Sequence, residues 1–413
     1  MNTLHDALER ATDAIEAPRL APAALLSARR RRARRRGAAA GVVAAVAVGA
    51  IVTATVVNAG SGTPGPAVPS LPTSSQESTT EIEPDPEPAT APPIDPAVVQ
   101  DLWDPATVAD LPWAEGTSFP RSLDPRDVAA TQSDDTPVLA AVDDGEAISL
   151  WHASGARTEI DYPEPAFNEH SAPALSPDGS VVAFAGRSAL WTSTDGGEWA
   201  RRAYPDGFQV APDWGVELDL DADGGLLVGQ FVRDWRSWYL PSGGDGATSR
   251  LEGAPYDLAA APDGALLGFL GGPPRQVVEF RGGEQTSAVY SDELQSLNRP
   301  AATDDVLAAV RGVGNWTPPR EGAEENGLIA VERDTLATRA YLPIRDPHDS
   351  YTDGGTMAAL AWLDDETVLA SVILGGTPGT QYLFTWNVAT GQLSRVSELP
   401  AALLLAVASA PGE

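Results

Sequence analysis

The stretch Ala174-Leu175-Ser176-Pro177-Asp178-Gly179-Ser180-Val181-Val182-Ala183-Phe184 joins two apolar runs through a tight polar turn. Glycine supplies the positive backbone angle that a two-residue hairpin turn needs, which makes Asp-Gly the natural joint. The same pattern returns as Asp219-Leu220-Asp221-Ala222-Asp223-Gly224-Gly225-Leu226-Leu227-Val228 and as Ala259-Ala260-Ala261-Pro262-Asp263-Gly264-Ala265-Leu266-Leu267-Gly268-Phe269. Leu360-Ala361-Trp362-Leu363-Asp364-Asp365-Glu366-Thr367-Val368-Leu369-Ala370 is a fainter copy. Fainter again are Asp134-Asp135 before Val138-Leu139-Ala140 and Asp304-Asp305 before Val306-Leu307-Ala308. The turn aspartates Asp134, Asp178, Asp223, Asp263, Asp304 and Asp364 follow at intervals of 44, 45, 40, 41 and 60 residues.

Each unit reads as an apolar strand, a turn, a second apolar strand and two weaker strands. A repeat of that length with four short strands is a propeller blade. The expectation is an all-β, six-bladed β-propeller, with seven blades as the alternative. Ala402-Leu403-Leu404-Leu405-Ala406-Val407 is expected as the last strand, closing the ring against an early one. A β-sandwich would not explain the fixed period. At Ser176 to Phe184 the chain resembles the WD40-like repeats of the TolB-type propeller family, and Ala261-Pro262-Asp263-Gly264 is a second, weaker match. The resemblance implies a propeller used for binding a protein or a ligand. It brings no catalytic residues with it, since propellers host many unrelated activities.

The other informative stretch lies upstream. Arg29 to Arg36 holds seven arginines, and Ala38 to Val57 follows as twenty uncharged residues. As a helix those twenty span about 30 Å, the hydrocarbon thickness of a bilayer. Arginines on one flank keep that flank in the cytoplasm. The reading is a single transmembrane helix, residues 37–57, with a cytoplasmic tail, residues 1–36, and the large domain outside the membrane. A cleaved signal peptide fits less well, because the segment before the apolar run is too long. In the tail, Leu4, Leu8, Ala11 and Ile15 mark an amphipathic helix that Pro18 ends. Tail and arginine run resemble the inner segments of actinobacterial membrane proteins found beside sigma factors. Residues 58–100 carry ten prolines between Pro64 and Pro96 among Ser, Thr and Glu, and read as a disordered spacer. The propeller is expected over 101–408, with a short tail, 409–413.

The 413 residues carry a net charge of -31, unevenly spread. All 27 basic residues are arginine, and nine of them meet only four acids within residues 1–36. The remainder is therefore strongly acidic and should repel nucleic acid and anionic surfaces. Cysteine is absent, so neither a disulfide nor a thiolate site is available.

Three motifs invite chemical readings. Ser193-Thr194-Asp195-Gly196-Gly197-Glu198-Trp199 resembles the Asp-box of sialidase-type propellers, with one residue fewer before the tryptophan, and is expected to be a structural turn. Asp219 to Gly224 spells D-x-D-x-D-G, the opening of many calcium loops. Leu227 and Gln230 stand where such loops place their closing acid, so the plain repeat turn is the expected role. His5, His152, His170 and His348 lack the spacing of a zinc site. No metal and no cofactor is expected.

In a propeller the connections between blades gather around one mouth. Here they carry acids, imidazoles and aromatics: His170, Asp213, Trp214, Tyr256, Asp257, His348, Asp349 and Tyr351. Such groups converging on a funnel suit a sugar, a peptide or a cation. The functional expectation is a non-catalytic, membrane-anchored extracytoplasmic propeller that binds a ligand or protein partner in sensing, scaffolding or envelope organisation. The alternative is a cell-envelope glycoside hydrolase or lyase, for which paired carboxylates in the channel would be the mark.

Overall fold

The computed structural model describes residues 89–409, except 133, 168–170, 210–215, 232–234, 244–247, 254, 271–274, 292–296, 312–325, 346–355 and 375–378. The expected tail, membrane helix and most of the spacer lie outside the described residues. Among the described residues no helix is long and apolar enough to cross a membrane.

Ala89–Thr90 forms a short strand, β1, ahead of the ring. Blade 1 contains β2 (Val138–Asp143), β3 (Ala147–His152) and β4 (Arg157–Asp161), and blade 2 contains β5 (Ala174–Leu175), β6 (Val181–Ala185), β7 (Leu190–Thr194) and β8 (Ala200–Arg202). Blade 3 holds β9 (Val216–Leu220), β10 (Leu226–Phe231), β11 (Trp235–Leu240) and β12 (Ser249–Arg250). Blade 4 holds β13 (Tyr256–Ala260), β14 (Leu266–Leu270), β15 (Arg275–Arg281) and β16 (Glu284–Ser291). Blade 5 is β17 (Leu297–Ala302), β18 (Val306–Arg311), β19 (Gly327–Glu332) and β20 (Thr338–Pro343). Blade 6 is β21 (Thr356–Trp362), β22 (Thr367–Ile373), β23 (Thr380–Asn387) and β24 (Leu393–Pro400). The final strand, β25 (Leu404–Val407), pairs antiparallel with β2 and becomes the innermost strand of blade 1. Six blades are present and the ring closes where the apolar C-terminal run predicted.

The core follows from this geometry. Six apolar clusters each fill the space between two neighbouring blades, from Val138, Leu150 and Phe184 between blades 1 and 2 round to Val142, Trp151 and Leu383 between blades 6 and 1. A middle strand such as β3 is therefore buried on both faces, all six residues of Ala147–His152 included. Strands covered on both sides read as continuous apolar runs. Outer strands lose one cover, and β8, with exposed Ala200 and Arg201, shows why they are faint in the sequence.

The turn chemistry departs from the two-residue hairpin. In blade 3, Gly224 N–H donates to Asp221 O and Asp221 N–H to Gly225 O, so three residues lie between the closing pair. Gly224 follows the first turn with φ of 77°. A turn followed by one left-handed residue is the three-residue hairpin, which also needs glycine, one place later than a two-residue turn would. Blades 2 and 4 keep the glycine, with Gly179 at 75° and Gly264 at 77°. The carboxylate of Asp178 accepts from the Ser180 amide at 3.0 Å and the Ser176 hydroxyl at 2.6 Å.

The expected spacer ends sooner than residue 100. Residues 89–131 are a belt laid along the outer edges of blades 4, 5, 6 and 1. β1 pairs in parallel with β16, Val99 bridges Tyr341 on β20, and Trp113 and Ser122 bridge Arg395 and Glu398 on β24. Thr131 N–H then donates to Arg157 O on β4. Between contacts the belt makes 3-10 turns at Pro96–Val98 and Pro105–Asp110, capped by the Asp95 and Asp104 side chains. Trp103, Val108, Phe119 and Leu123 are buried against the blades. An unpaired strand edge invites pairing with other chains, and the belt covers the long ones.

A mouth between blades 3 and 4 and a central channel

Because strands alternate in direction, the links between blades and the turns joining the second and third strands share one face. Glu164, in the link after blade 1, fixes that face locally. It accepts from Trp191 Nε1 at 2.8 Å and from the amides of Ser188 and Ala189 at 3.0 and 3.1 Å. Burial opposes its ionisation, but these donors prevail and hold the carboxyl below its ordinary range. In the next link Tyr204 stacks on Phe208 at 4.0 Å, and the Gln230 side chain clasps the Gln209 backbone through both its oxygen and its nitrogen.

Tyr256 and Asp257 open β13 at the mouth. Tyr256 is half-buried, lying nearly parallel to Trp235 with ring centroids 5.8 Å apart, and it also meets Phe269 at 6.3 Å. Asp257 has φ of 47°, and the ladder between β13 and β14 shifts register between Tyr256 and Ala259. A left-handed aspartate at a bulge re-aims a strand end, an arrangement concentrated at functional sites. His170, Asp213, Trp214, His348, Asp349 and Tyr351 lie outside the described residues. The structure thus brings together Tyr256, Asp257 and one residue that sequence reasoning missed, Trp235. Its only signal was being an aromatic at the start of a third strand, the same end of the blade as the links.

At the opposite end the innermost strands of all six blades meet. A cavity of about 50 Å³ remains between them, lined by Leu175, Asp219, Ala260, Ala302, Leu360 and Val407 among others. Asp219 bridges two blades there. Its Oδ1 accepts from its own strand at Leu220 N, 2.9 Å, and its Oδ2 from Ala260 N of blade 4, 2.8 Å. Burial pushes its carboxyl up to about 7, against the two amide donors, with the charge of Asp221 adding to the rise. The side chain is packed by protein while keeping a face on the channel, so it stays in reach of solvent.

The D-x-D-x-D-G stretch therefore separates rather than converges. Asp221 turns to the Asp223 and Gly225 amides and to the Tyr239 hydroxyl at 2.7 Å, away from Asp219. Among the described residues no three acids or histidines stand together as metal ligands. The Asp-box-like segment is a turn: Asp195 and Gly196 are left-handed, and Trp199 packs on Phe184 and donates to Asp161 O at 2.8 Å. His152 is buried between Thr136 O and the Thr158 hydroxyl and belongs to blade 1.

No family model matches the sequence, and no curated protein matches it. Solved structures do. A TolB-type protein from Agrobacterium tumefaciens is similar over 65% of this chain and 98% of its own, at 12% identity and a TM-score of 0.38. The structure of a streptogramin B lyase is similar over 58% and 73%, at 13% identity and a TM-score of 0.36. The β-propeller domain of the trilobed protease from Pyrococcus furiosus is similar over 63% and 82%, at 13% identity and a TM-score of 0.35.

Proposed function

We propose that this chain is a membrane-anchored, extracytoplasmic β-propeller that binds a ligand or protein partner at the mouth where the blades are linked, without transforming it. The observation that carries the binding reading is the Trp235–Tyr256 pair beside left-handed Asp257: a flat apolar wall next to a carboxylate on a rigid strand. Aromatic faces with a few fixed polar groups are how sugars and peptide side chains are held. The anchor reading rests on Arg29 to Arg36 ahead of the apolar run Ala38 to Val57. The test pairs an array of envelope oligosaccharides and peptides with the Trp235→Ala and Tyr256→Ala variants. Captured probes should lose at least about tenfold in affinity in each. Undiminished capture would remove the site. For the anchor, protease added to intact cells should digest the propeller, and a protected propeller found in the soluble lysate would end that part.

The enzyme reading has one feature of its own, Asp219, whose raised carboxyl is suited to proton transfer near neutrality. A glycoside hydrolase or lyase would need a second carboxyl within about 5–10 Å of it. Turnover of an envelope polysaccharide that disappears in Asp219→Asn would establish that reading in place of simple binding.

A further inference from the structure

We propose that the outer edges of blades 2 and 3 form a docking strip for an extended, acidic, aromatic-bearing polypeptide segment of a partner protein. The strip is separate from the mouth, and the belt shows how it would work. On three of the four blades it covers, the outer strand or the segment within two residues of its end presents an arginine to the belt. Arg157 Nε donates to Val128 O at 2.8 Å in blade 1. Arg345 lies 3.6 Å from the Asp104 carboxylate in blade 5. Arg395 stacks at 3.9 Å over the Trp113 ring in blade 6. Carbonyl, carboxylate and indole are thus the groups these rim arginines take. The segment that brings them is itself acidic, with Asp95, Asp101, Asp104, Asp110, Glu115, Asp124 and Asp127.

Blades 2 and 3 repeat the receptor. Among the described residues nothing pairs with the outer edges of β8 and β12. Those strands carry Arg201, Arg202 and Arg250, in a chain whose net charge is -31. Arg202 is committed to the neighbouring blade through Leu240 O and Pro241 O, which leaves Arg201 and Arg250 as the exposed arginines of these two strands. Among the described residues Arg201 makes one long contact, 3.4 Å, to Ser188 O. Shortness does not disqualify the edges. β1 meets β16 through two residue pairs, and the belt meets β20 and β24 through single bridges. Three residues in β8 and two in β12 offer as much. Strand addition draws its affinity from main-chain bonds and its selectivity from the flanking side chains, here arginines that favour acids and aromatic faces.

A labelled synthetic peptide copying residues 99–114 carries the belt's own chemistry and serves as the probe against the full-length chain. The expected result is saturable binding that weakens at least about tenfold in the R201E/R250E double variant, with the melting temperature unchanged. Amide exchange should slow at Ala200–Arg202 and Ser249–Arg250 when the peptide is present. Three outcomes would overturn the proposal: no saturation up to about 1 mM, equal affinity in the double variant, or protection confined to blades 5 and 6, which would mean the peptide only displaces the native belt. None of these would bear on Trp235 and Tyr256, so the mouth and the strip stand or fall separately.

Discussion

Glycines that look identical in the repeat do different work. Gly179 and Gly264 share the turn position and nearly the same φ, 75° and 77°. A methyl on Gly264 would meet nothing within 4 Å, whereas on Gly179 it would lie 2.1 Å from Val138 O of blade 1. Gly264→Ala should then cost about 1 kcal/mol, the left-handed penalty alone. Gly179→Ala should cost about 2–4 kcal/mol, because overpacking against a backbone is added. Denaturant titration of the two variants measures the difference. Asp219 gives a second test. Its folded pKa, about 7, stands above the unfolded carboxylate value of about 3.9. Its contribution is therefore whole below about pH 4 and is lost as pH rises through about 7. Asp178, Glu164 and Asp263 are shifted the other way, and their contributions fade only under stronger acid. Between pH 5.5 and 8 the stability should fall with rising pH, by on the order of 1–3 kcal/mol through Asp219, and the melting temperature should fall with it. Burial pushes Asp143 in the same direction, so Asp219→Asn should flatten the slope without abolishing it. A slope identical to wild type would show that Asp219 is not the group responsible. The sequence revealed these turn residues because glycine and aspartate are required by local geometry. It did not reveal Asp219 as a channel residue, because a calcium-like spelling and a strand end look alike until the neighbouring blade is in place.

At the scale of elements the belt was the part hardest to read. Blade strands pair along their length and imprint a pattern, but the belt touches each blade through one or two residues and leaves no period. Its prolines and acids also match those of the spacer, so composition drew the boundary too late. What fixes the belt is a few large side chains. Trp103 is 8% exposed and packs on Phe384 with centroids 4.9 Å apart, while its Nε1 has no acceptor among the described residues. Trp386 is fully buried, and its Nε1 donates to Gln100 Oε1 of the belt at 2.7 Å. Replacement by phenylalanine should separate the two. Trp103→Phe loses no hydrogen bond and should cost under about 1.5 kcal/mol, whereas Trp103→Ala should cost about 3–5 kcal/mol. Trp386→Phe takes the donor from the half-buried Gln100 amide oxygen and should add about 1 kcal/mol to its packing loss. If proteolysis within residues 89–131 speeds up in Trp386→Phe but not in Trp103→Phe, the belt is held as described. Equal effects would mean that ring volume alone matters.

The whole molecule depends on two closures that cross the same seam. The blade count was legible because each blade must begin with a turn, and five of the six turns are hairpins within one continuous stretch of chain. The sixth position has no hairpin: Asp134 precedes β2, and the strand inside β2 comes from the far end of the chain. The mouth was the least legible region, since links between blades follow no periodicity; of the predicted residues, Tyr256 and Asp257 are the two among the described residues, and both sit on a strand. The seam itself is held by β25, in register with β2 from Ala140 opposite Val407 to Asp143 opposite Leu404, and by the belt, which passes from β24 to β4 outside it. Removing residues 404–413 should take away the inner closure and leave β2 with an open edge. The cluster of Val142, Trp151, Leu369 and Leu383 between blades 6 and 1 would lose its cover from Leu405 and Val407. Closing a ring this way joins residues more than 260 apart, so the loss falls on the most non-local contacts of the fold. The truncated chain should melt at least about 10 °C lower, with β2 amides exchanging before those of β10. A chain that kept its melting temperature without β25 would show that the belt alone can hold the ring shut.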